Sequence, residues 1–259
     1  MQPTSTKGVK MAKIGLQLYS VRADCAKDLV GTLKKISEMG YEGVEFAGYH
    51  GRDAKELRTI LQDLHLVCCG THIGLETLLG EQLLNTVEFN AVLGNKYLIV
   101  PGLKEEYRNS ISAWENTAEI FNQVAERLKP YGMKTGYHNH WIEFEMLEGK
   151  KPMDVFFQKA SKDVIMQFDT GNAMRTGGDV IEYLKKFPGR SDTIHIKEFS
   201  ASNERAIIGE GDINWKQVIE LCQKIGNTQW YIIEQESYAY TPIECVEKCL
   251  VNFKKILGV

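Results

Sequence analysis

Short apolar runs alternate along the chain with longer segments in which apolar residues recur every three or four positions. The short runs predict β-strands, and the longer segments predict amphipathic helices. Residues 13–20 alternate apolar and polar side chains, as a half-buried strand does, and residues 28–39 follow with helical spacing. The apolar positions of this first helix share one face: Leu29, Leu33 and Ile36.

This pairing of strand and helix repeats eight times. The predicted strands cover residues 13–20, 43–46, 66–72, 96–100, 134–144, 164–169, 191–197 and 229–235. The first predicted helix covers residues 28–39. The second is capped by Asp53 and carries Leu57, Ile60, Leu61 and Leu64. The others cover residues 76–93, 111–128, 152–160, 179–187, 215–225 and 242–257.

Strands that alternate with helices imply a parallel sheet with helical crossovers. Eight such units in about 250 residues fit a closed barrel better than an open sheet. No Gly-x-Gly-x-x-Gly turn follows the first strand, which argues against a dinucleotide-binding fold. We therefore predict an α/β protein with a single (β/α)8 TIM barrel over residues 11–259, behind a polar tail at residues 1–10.

Composition and charge limit the classes of molecule that this protein is expected to bind. The 259 residues are 43% hydrophobic, which suffices for a full core, and the formal net charge of −3 offers no basic surface for nucleic acid. No run of about 18 apolar residues predicts a membrane span. We therefore expect a small polar substrate, with neither nucleic acid nor membrane as a partner.

The cysteines bear on compartment and assembly. The chain has six, none of them in a Cys-x-x-Cys pair, and we expect reduced thiols that fill the core. Residues 1–10 lack the apolar stretch of a signal peptide. Both features favour the cytoplasm, although a leader already removed would leave a periplasmic origin open. The helix face with Cys245 and Cys249 is a candidate for packing between subunits of a homo-oligomer.

Histidines and carboxylates gather at the C-terminal ends of the predicted strands, where the active sites of such barrels lie. One histidine at a strand end is usually a hydrogen-bonded structural residue, but several together with carboxylates indicate a metal or catalytic centre. Only His65 falls at the opposite end. The residues at this rim are His50, His72, His138, His140 and His195, joined by Asp169 and Glu234.

Four of these residues form a candidate metal site, with donors from four strands: His138, Asp169, His195 and Glu234. Mixed nitrogen and oxygen donors suit one divalent ion of Mn, Co, Zn or Fe, and Mg less readily. The set has no thiolate, which argues against a structural zinc site. Such an ion polarises a carbonyl and stabilises the enediolate formed when a neighbouring C–H is deprotonated. The simpler interpretation of Asp169 is a turn cap.

Further candidates surround this set. The proposed bases are His140 or Glu143 first and Glu234 second. Lys197 shares a strand face with His195. It would either reach the substrate or be a solvated residue at the rim. A second acid would be His72 or Glu210, although His72 also suits an ordered core position. The remaining candidates for substrate contact are Asn172 and three aromatic residues that core packing would equally explain: Tyr19, Phe46 and Trp141. Glu236 fits a solvated rim.

In these motifs the chain resembles the xylose-isomerase-like barrel superfamily, which holds sugar isomerases, ketose 3-epimerases, inosose dehydratases and endonuclease IV. Each motif is loose, but their order on eight strands is specific. The resemblance implies that three family metal ligands fall on Asp169, His195 and Glu234. The matching runs are residues 15–20, 43–46, 137–140, 168–172, 195–197, 209–211 with Trp215, and 233–234.

The chain departs from the epimerases at the fifth strand, where His138 replaces a metal-bound glutamate. The epimerases use two such glutamates as opposing bases, and one is absent here. A histidine at this position is similar to the inosose dehydratase and keto-sugar lyase branches, which remove a proton beside a ketone and expel a β-oxygen. Glu143 or Glu145 in place of the missing carboxylate would keep the epimerase alternative.

The resemblance thus implies an enzyme of carbohydrate metabolism that acts on a keto-sugar or keto-inositol. It would abstract the α-proton through a metal-stabilised enediolate, with manganese among the expected ions, and then isomerise, epimerise or eliminate. Two alternatives remain: a non-catalytic sugar-binding barrel, which would not need the metal, and an endonuclease IV-like DNA repair enzyme, which would need further ligands and a basic groove. The sugar, the reaction type and the native metal stay open.

Overall fold

Eight parallel strands organise the computed structural model, which describes residues 11–259. The strands are β1 (Lys13–Gln17), β2 (Gly43–Ala47), β3 (Val67–His72), β4 (Tyr97–Val100), β5 (Lys134–His138), β6 (Ile165–Gln167), β7 (Thr193–Ile196) and β8 (Trp230–Ile233). Their order in the sheet is β6-β5-β4-β3-β2-β1-β8-β7. This confirms the predicted (β/α)8 barrel. The predicted tail at residues 1–10 lies outside the described residues.

The barrel closes between β6 and β7, the two ends of the sheet order. A single parallel bridge joins Asp169 and His195 there. The amide of His195 donates to the carbonyl oxygen of Phe168 at 2.9 Å. Two of the predicted metal ligands therefore lie at the line of closure.

Helices surround the strands: α1 (Arg22–Lys27), α2 (Leu29–Met39), α3 (Ala54–Asp63), α4 (Gln82–Leu93), α5 (Ile111–Leu128), α6 (Pro152–Lys159), α7 (Thr170–Met174), α8 (Val180–Lys186), α9 (Trp215–Leu221) and α10 (Pro242–Leu257). The bounds of α5 and α10 are those predicted. Asp53 caps α3 as expected, accepting from the amides of Lys55 and Glu56. No helix in residues 11–259 is long and apolar enough to cross a membrane.

Several regions differ from the prediction. The strands predicted over residues 13–20 and 134–144 end at Gln17 and His138, where 3-10 turns follow, and the helix α1 was not predicted. The segment predicted over residues 76–93 is split into a 3-10 turn, Leu75–Leu78, and α4, with Gly80 between them at a φ of +54°. The last turn of the helix predicted over 215–225 is a π-helix, Cys222–Gly226. The short helix α7 was not predicted, because its five residues are too few to show periodicity.

The barrel interior has an apolar floor beneath a polar layer. The floor is a separate buried cluster of Cys69, Tyr97, Ile99, Ile165, Trp230 and Ile232. Side chains two positions apart in a strand share a face, so Ile232 points to the same side as Glu234. Glycine is needed at Gly43, since a Cβ there would lie 2.9 Å from Cη2 of Trp230. The floor therefore supports the functional layer from below.

All six cysteines are unpaired, and each of them except Cys68 is buried. Burial raises the pKa of the Cys222 and Cys249 thiols to about 12, so both stay protonated at neutral pH. They behave as apolar core residues, as predicted. Cys245 and Cys249 are fully buried within the chain, so the face of α10 that carries them is not available for packing between subunits, contrary to the expectation.

Candidate active site

Four side chains from consecutive strands meet at the C-terminal end of the barrel. His138 ends β5, Asp169 follows β6, His195 lies in β7 and Glu234 follows β8. One potential ligand atom from each residue lies within 4.8 Å of the corresponding atoms of the other three. All four residues are buried. The structure thus brings together the four residues that the sequence selected as metal ligands.

Asp169 uses one carboxylate oxygen for structure and leaves the other free. Its Oδ1 accepts from the amide of Asn172 at 2.6 Å and so caps α7. Its Oδ2 is buried without a hydrogen-bond partner among the described residues. Burial, opposed by the Lys197 ammonium 3.9 Å from Oδ2, raises the pKa of Asp169 to about 7. An ionised carboxylate is unfavourable when it is buried away from water, and a bound cation would offset this cost.

His138 also presents an unpartnered buried atom, its Nδ1. Its ring centroid lies 4.5 Å from that of His195 and 4.8 Å from that of His72. Burial and the positive charges of these two histidines hold the pKa of His138 well below its usual range. The imidazole is therefore neutral, which is the form that ligates metals.

His195 is held on both sides by carboxylates. Its Nδ1 lies 2.7 Å from Oε2 of Glu234, and its Nε2 lies 2.6 Å from Oε2 of Glu45. Burial would lower the pKa of His195, but the two carboxylates outweigh burial and raise it to about 10. His195 would help to hold a divalent cation through Nδ1 in place of the proton there, while Nε2–H keeps its bond to Glu45. Together with the free atoms of His138 and Asp169, this arrangement fits a divalent metal.

Glu45 belongs to this site, although the sequence analysis did not select it. It is fully buried in β2 and accepts hydrogen bonds from Nε2 of Gln17 at 2.8 Å and from Nε2 of Gln167 at 2.7 Å. Burial opposes its charge, yet His72 and His195 outweigh burial and hold the pKa of Glu45 far below its usual range. The available signal was a carboxylate inside an apolar strand, where an unpaired charge is unfavourable.

His72 lies next to the ligand set but is already hydrogen-bonded. Its ligating atoms come within 4.8 Å of those of His138 and His195 in a second grouping. However, its Nε2 lies 2.8 Å from Oε1 of Gln167 and 3.2 Å from Oε2 of Glu45. These contacts orient the ring and occupy that nitrogen.

A cavity of about 470 Å³ opens beside the site, and two of the four predicted ligands, His138 and Glu234, form part of its wall. Its wall includes several residues that the sequence selected: Tyr19, His72, His138, His140 and Glu234. Burial lowers the pKa of His140, which keeps its imidazole neutral at neutral pH. The volume suits a small polar molecule rather than a polymer.

Glu143 is not placed to act as a base, contrary to the prediction. Its Oε1 accepts from the hydroxyl of Tyr137 at 2.6 Å, and its Oε2 accepts from the amide of His140 at 2.8 Å. Burial raises the pKa of Glu143. The carboxylate instead fixes the turn that carries His140 into the cavity. Glu145, the other substitute considered for the missing glutamate, is exposed outside the cavity.

Two other predicted contacts also lie elsewhere. Glu210 is exposed in a groove beside α10, where its carboxylate accepts from the amide of Ile207. The loop around it is held by Glu198, whose Oε2 accepts from the amide of Gly209 at 2.7 Å and from Nε1 of Trp215 at 2.8 Å. Phe46, proposed as an apolar wall, is fully buried in the core.

The remaining predictions lie around the site rather than on its wall. Asn172 is buried in α7, where its backbone N–H donates to Oδ1 of Asp169. Trp141 is 39% exposed beside the cavity, and the Arg175 guanidinium lies 5.5 Å from its ring centroid. His50 lies apart in an exposed turn after β2.

Lys197 and Glu236 form an ion pair at the edge of the site. Lys197 is 5% exposed, and burial would lower its pKa, but Glu234, Asp169 and Glu236 outweigh burial and raise it. Its ammonium therefore stays charged. Glu236 lines the cavity instead of being a merely solvated rim residue.

Comparisons with known proteins cover nearly the whole described barrel. The family described as "Xylose isomerase-like TIM barrel" matches residues 33–248. Inosose dehydratase of Clostridium perfringens is 22% identical over 85% of this chain and 88% of its own length. Inosose dehydratase of Serratia proteamaculans is 21% identical over 86% of this chain and 89% of its own length.

Two solved structures share the fold. A sugar phosphate isomerase/epimerase from Parabacteroides distasonis superposes with a TM-score of 0.81 at 24% identity, covering 94% of this chain and 98% of its own. The IolI protein, solved with a bound zinc atom, superposes with a TM-score of 0.74 at 15% identity, covering 95% of this chain and 98% of its own. At these identities the likeness concerns the fold.

Proposed function

This chain belongs to the family of xylose isomerase-like TIM barrels, and we propose that it is a divalent-metal-dependent enzyme that eliminates water from a keto-sugar or keto-inositol. The observation that carries the proposal is the convergence of His138, Asp169, His195 and Glu234 at a cavity whose wall includes His138 and Glu234. Two of their buried atoms, Nδ1 of His138 and Oδ2 of Asp169, have no partner among the described residues. This donor set suits Zn, Mn, Co or Fe.

The similarity to inosose dehydratases supports elimination as the reaction. A bound dication would polarise the substrate ketone and so acidify the neighbouring C–H. The residues of the chain then supply proton transfer and orientation. Glu45 supports this by holding the ring of His195 through Nε2, which leaves Nδ1 directed at the ligand set.

His140 is the proposed base. Its neutral imidazole lines the cavity, where it can take the proton from the carbon beside the ketone. The electron pair of that C–H bond forms a C–C double bond as the β-carbon to oxygen bond breaks. His72, also on the cavity wall, is the proposed donor of the proton with which this oxygen leaves as water; the proton comes from Nδ1, because Gln167 and Glu45 occupy Nε2. The products are one water and an unsaturated ketone.

Isomerisation or epimerisation is the second candidate. His140 follows β5 and Glu234 follows β8, and both line the same cavity. Groups from two strands can remove a proton and return one at a different position of the substrate. Glu143 does not support this reading as a substitute for the missing epimerase glutamate, because Tyr137 and the amide of His140 occupy its carboxylate.

The first test is the metal content of the purified protein, measured by elemental analysis. We expect close to one equivalent of a divalent metal in the parent and a loss of metal in His138→Ala and Glu234→Ala. His65→Ala is the matched control, because His65 is exposed at the opposite end of the barrel. A parent that binds no metal, even when metal is supplied in excess, would refute the proposal and favour a sugar-binding barrel.

The second test separates the two reactions. Keto-sugars and inososes are incubated with the metal-loaded protein in deuterated water and followed by NMR and mass spectrometry. Elimination yields a product lighter by one water, whereas isomerisation and epimerisation conserve the atoms apart from deuterium uptake. Deuterium incorporation without loss of water would therefore favour the second candidate.

A further inference from the structure

The charged side chains on the cavity wall are carboxylates. Among residues 11–259, Glu234 and Glu236 line the cavity, whereas no lysine or arginine lines it. His72, also on the wall, is hydrogen-bonded to Gln167, and its Nε2 lies 3.2 Å from a carboxylate oxygen of Glu45. The wall therefore offers a substrate neither an ammonium nor a guanidinium group.

The ammonium of Lys197 lies close to this wall but is already neutralised. It is paired with Glu236, and it lies 3.9 Å from Oδ2 of Asp169. The side chain of Lys197 is nearly buried, whereas Glu236 is partly exposed and is the member of the pair that lines the cavity. Glu236 thus separates Lys197 from whatever occupies the cavity.

Backbone amides near the site are also taken by carboxylates of the protein itself. Phosphate groups in barrels of this kind are commonly bound by amides of the loops after the last strands and at the start of a short helix. Here Oδ1 of Asp169 accepts from the backbone amide of Asn172 at the start of α7. An anion at this amide would have to displace the Asp169 carboxylate.

We propose that the Lys197–Glu236 pair makes the cavity selective for uncharged polyhydroxy ketones and against their phosphorylated or carboxylated counterparts. The ketone rests on the function proposed above. The selection by charge is a separate property, because it follows from the wall of the cavity and not from the metal.

The test is binding of matched neutral and anionic probes, measured by isothermal titration calorimetry. The probes are D-fructose, D-fructose 6-phosphate and inorganic phosphate, added to the protein as purified and again after dialysis against a chelator. We expect the parent to bind the phosphate ester no more tightly than D-fructose. In Glu236→Gln, Lys197 is released, and the affinity for inorganic phosphate should rise about tenfold or more, as expected for removing one charge close to a dianion.

Two further variants identify the cause. Glu210→Gln makes the same change in net charge outside the cavity and should behave as the parent. The double variant with Glu236→Gln and Lys197→Met should lose the gained phosphate affinity, because the released ammonium is gone. Thermal melting of each variant confirms that it is folded.

A parent that binds D-fructose 6-phosphate more tightly than D-fructose would overturn the proposal by itself, whatever the variants do. Unchanged phosphate affinity in folded Glu236→Gln would also overturn it. A protein that holds no metal would end the proposed reaction but would leave this comparison valid, since the chelator-treated sample is measured alongside. The two proposals therefore fail separately.

Discussion

Oε2 of Glu45 lies 2.6 Å from Nε2 of His195, on the side of the imidazole opposite to Glu234. The carboxylate is held in turn by the side-chain amides of Gln17 and Gln167. This contact fixes both the rotation of the ring and the nitrogen that carries the proton. A residue of β2 thereby determines how a side chain of β7 faces the ligand set across the barrel.

Glu45→Gln should weaken metal binding without removing any ligand. A glutamine cannot hold the Nε2–H of His195 with a charge-assisted bond, and such supporting changes cost about 10-fold to 100-fold in metal affinity. Competition with a fluorescent chelator measures the dissociation constant. Glu38→Gln, a change on the exposed face of α2, is the control. Equal affinities in Glu45→Gln and the parent would show that His195 is oriented without this contact.

The metal-free protein should lose stability with rising pH through Asp169. Its pKa is raised from 3.8 to about 7 by burial, so the folded state holds the proton more tightly than the unfolded state does. A raised carboxyl pKa contributes most stability below the unfolded value, and this contribution disappears as the pH rises through about 7.

The variant Asp169→Asn tests the direction in which the stability of the metal-free protein changes with pH. At pH 8 the metal-free variant should unfold with a free energy higher than that of the metal-free parent by on the order of 1 to 4 kcal/mol, measured with urea. At pH 4 the difference should shrink towards zero. The variant should also lose metal binding. A difference that grows towards low pH would contradict this assignment.

His140→Ala should separate catalysis from metal binding. The imidazole lines the cavity but lies outside the four-residue ligand set, so metal content should match that of the parent. Exchange of the substrate α-proton in deuterated water should fall about 10²-fold to 10⁴-fold, as is usual for loss of a general base. An undiminished exchange rate, with metal still bound, would transfer the role of base to Glu234.

Tyr137→Phe should destabilise the turn that carries His140. The variant leaves the buried Oε1 of Glu143 without its donor, at a cost of about 1–3 kcal/mol in the free energy of unfolding. Urea denaturation at pH 7 measures this cost. Tyr131→Phe, at an exposed position before β5, is the matched control and should be neutral. A loss of metal from Tyr137→Phe would mean that the turn also supports His138.

The eight-stranded barrel and the convergence of the four candidate ligands were predictable because both depend on local patterns. Each of His138, Asp169, His195 and Glu234 stands where an apolar run ends, and a barrel brings all such ends to one face. The bounds of α5 were predictable for a similar reason, since its apolar periodicity is unbroken over residues 111–128.

What could not be predicted depends on contacts between distant segments or on the direction of a loop. The role of Glu45 follows from a partner 150 positions away, which no local pattern reveals. Glu143 resembled a free base in the sequence, but Tyr137 and the turn after β5 direct it into the interior. Glu210 stood in a promising glycine-rich run, yet Glu198 organises that loop with Glu210 turned away from the cavity.

The closure of the barrel through the single bridge between Asp169 and His195 links the site to the integrity of the whole cylinder. Every other pair of neighbouring strands forms a ladder of two or more residue pairs, with a register shift in that of β2 and β3, so β6 and β7 share the fewest backbone pairs among the described strands. A ligand bound to both Asp169 and His195 would connect β6 to β7. Occupancy of the site and opening of the cylinder are therefore coupled equilibria, and whatever fills the site also holds the cylinder shut.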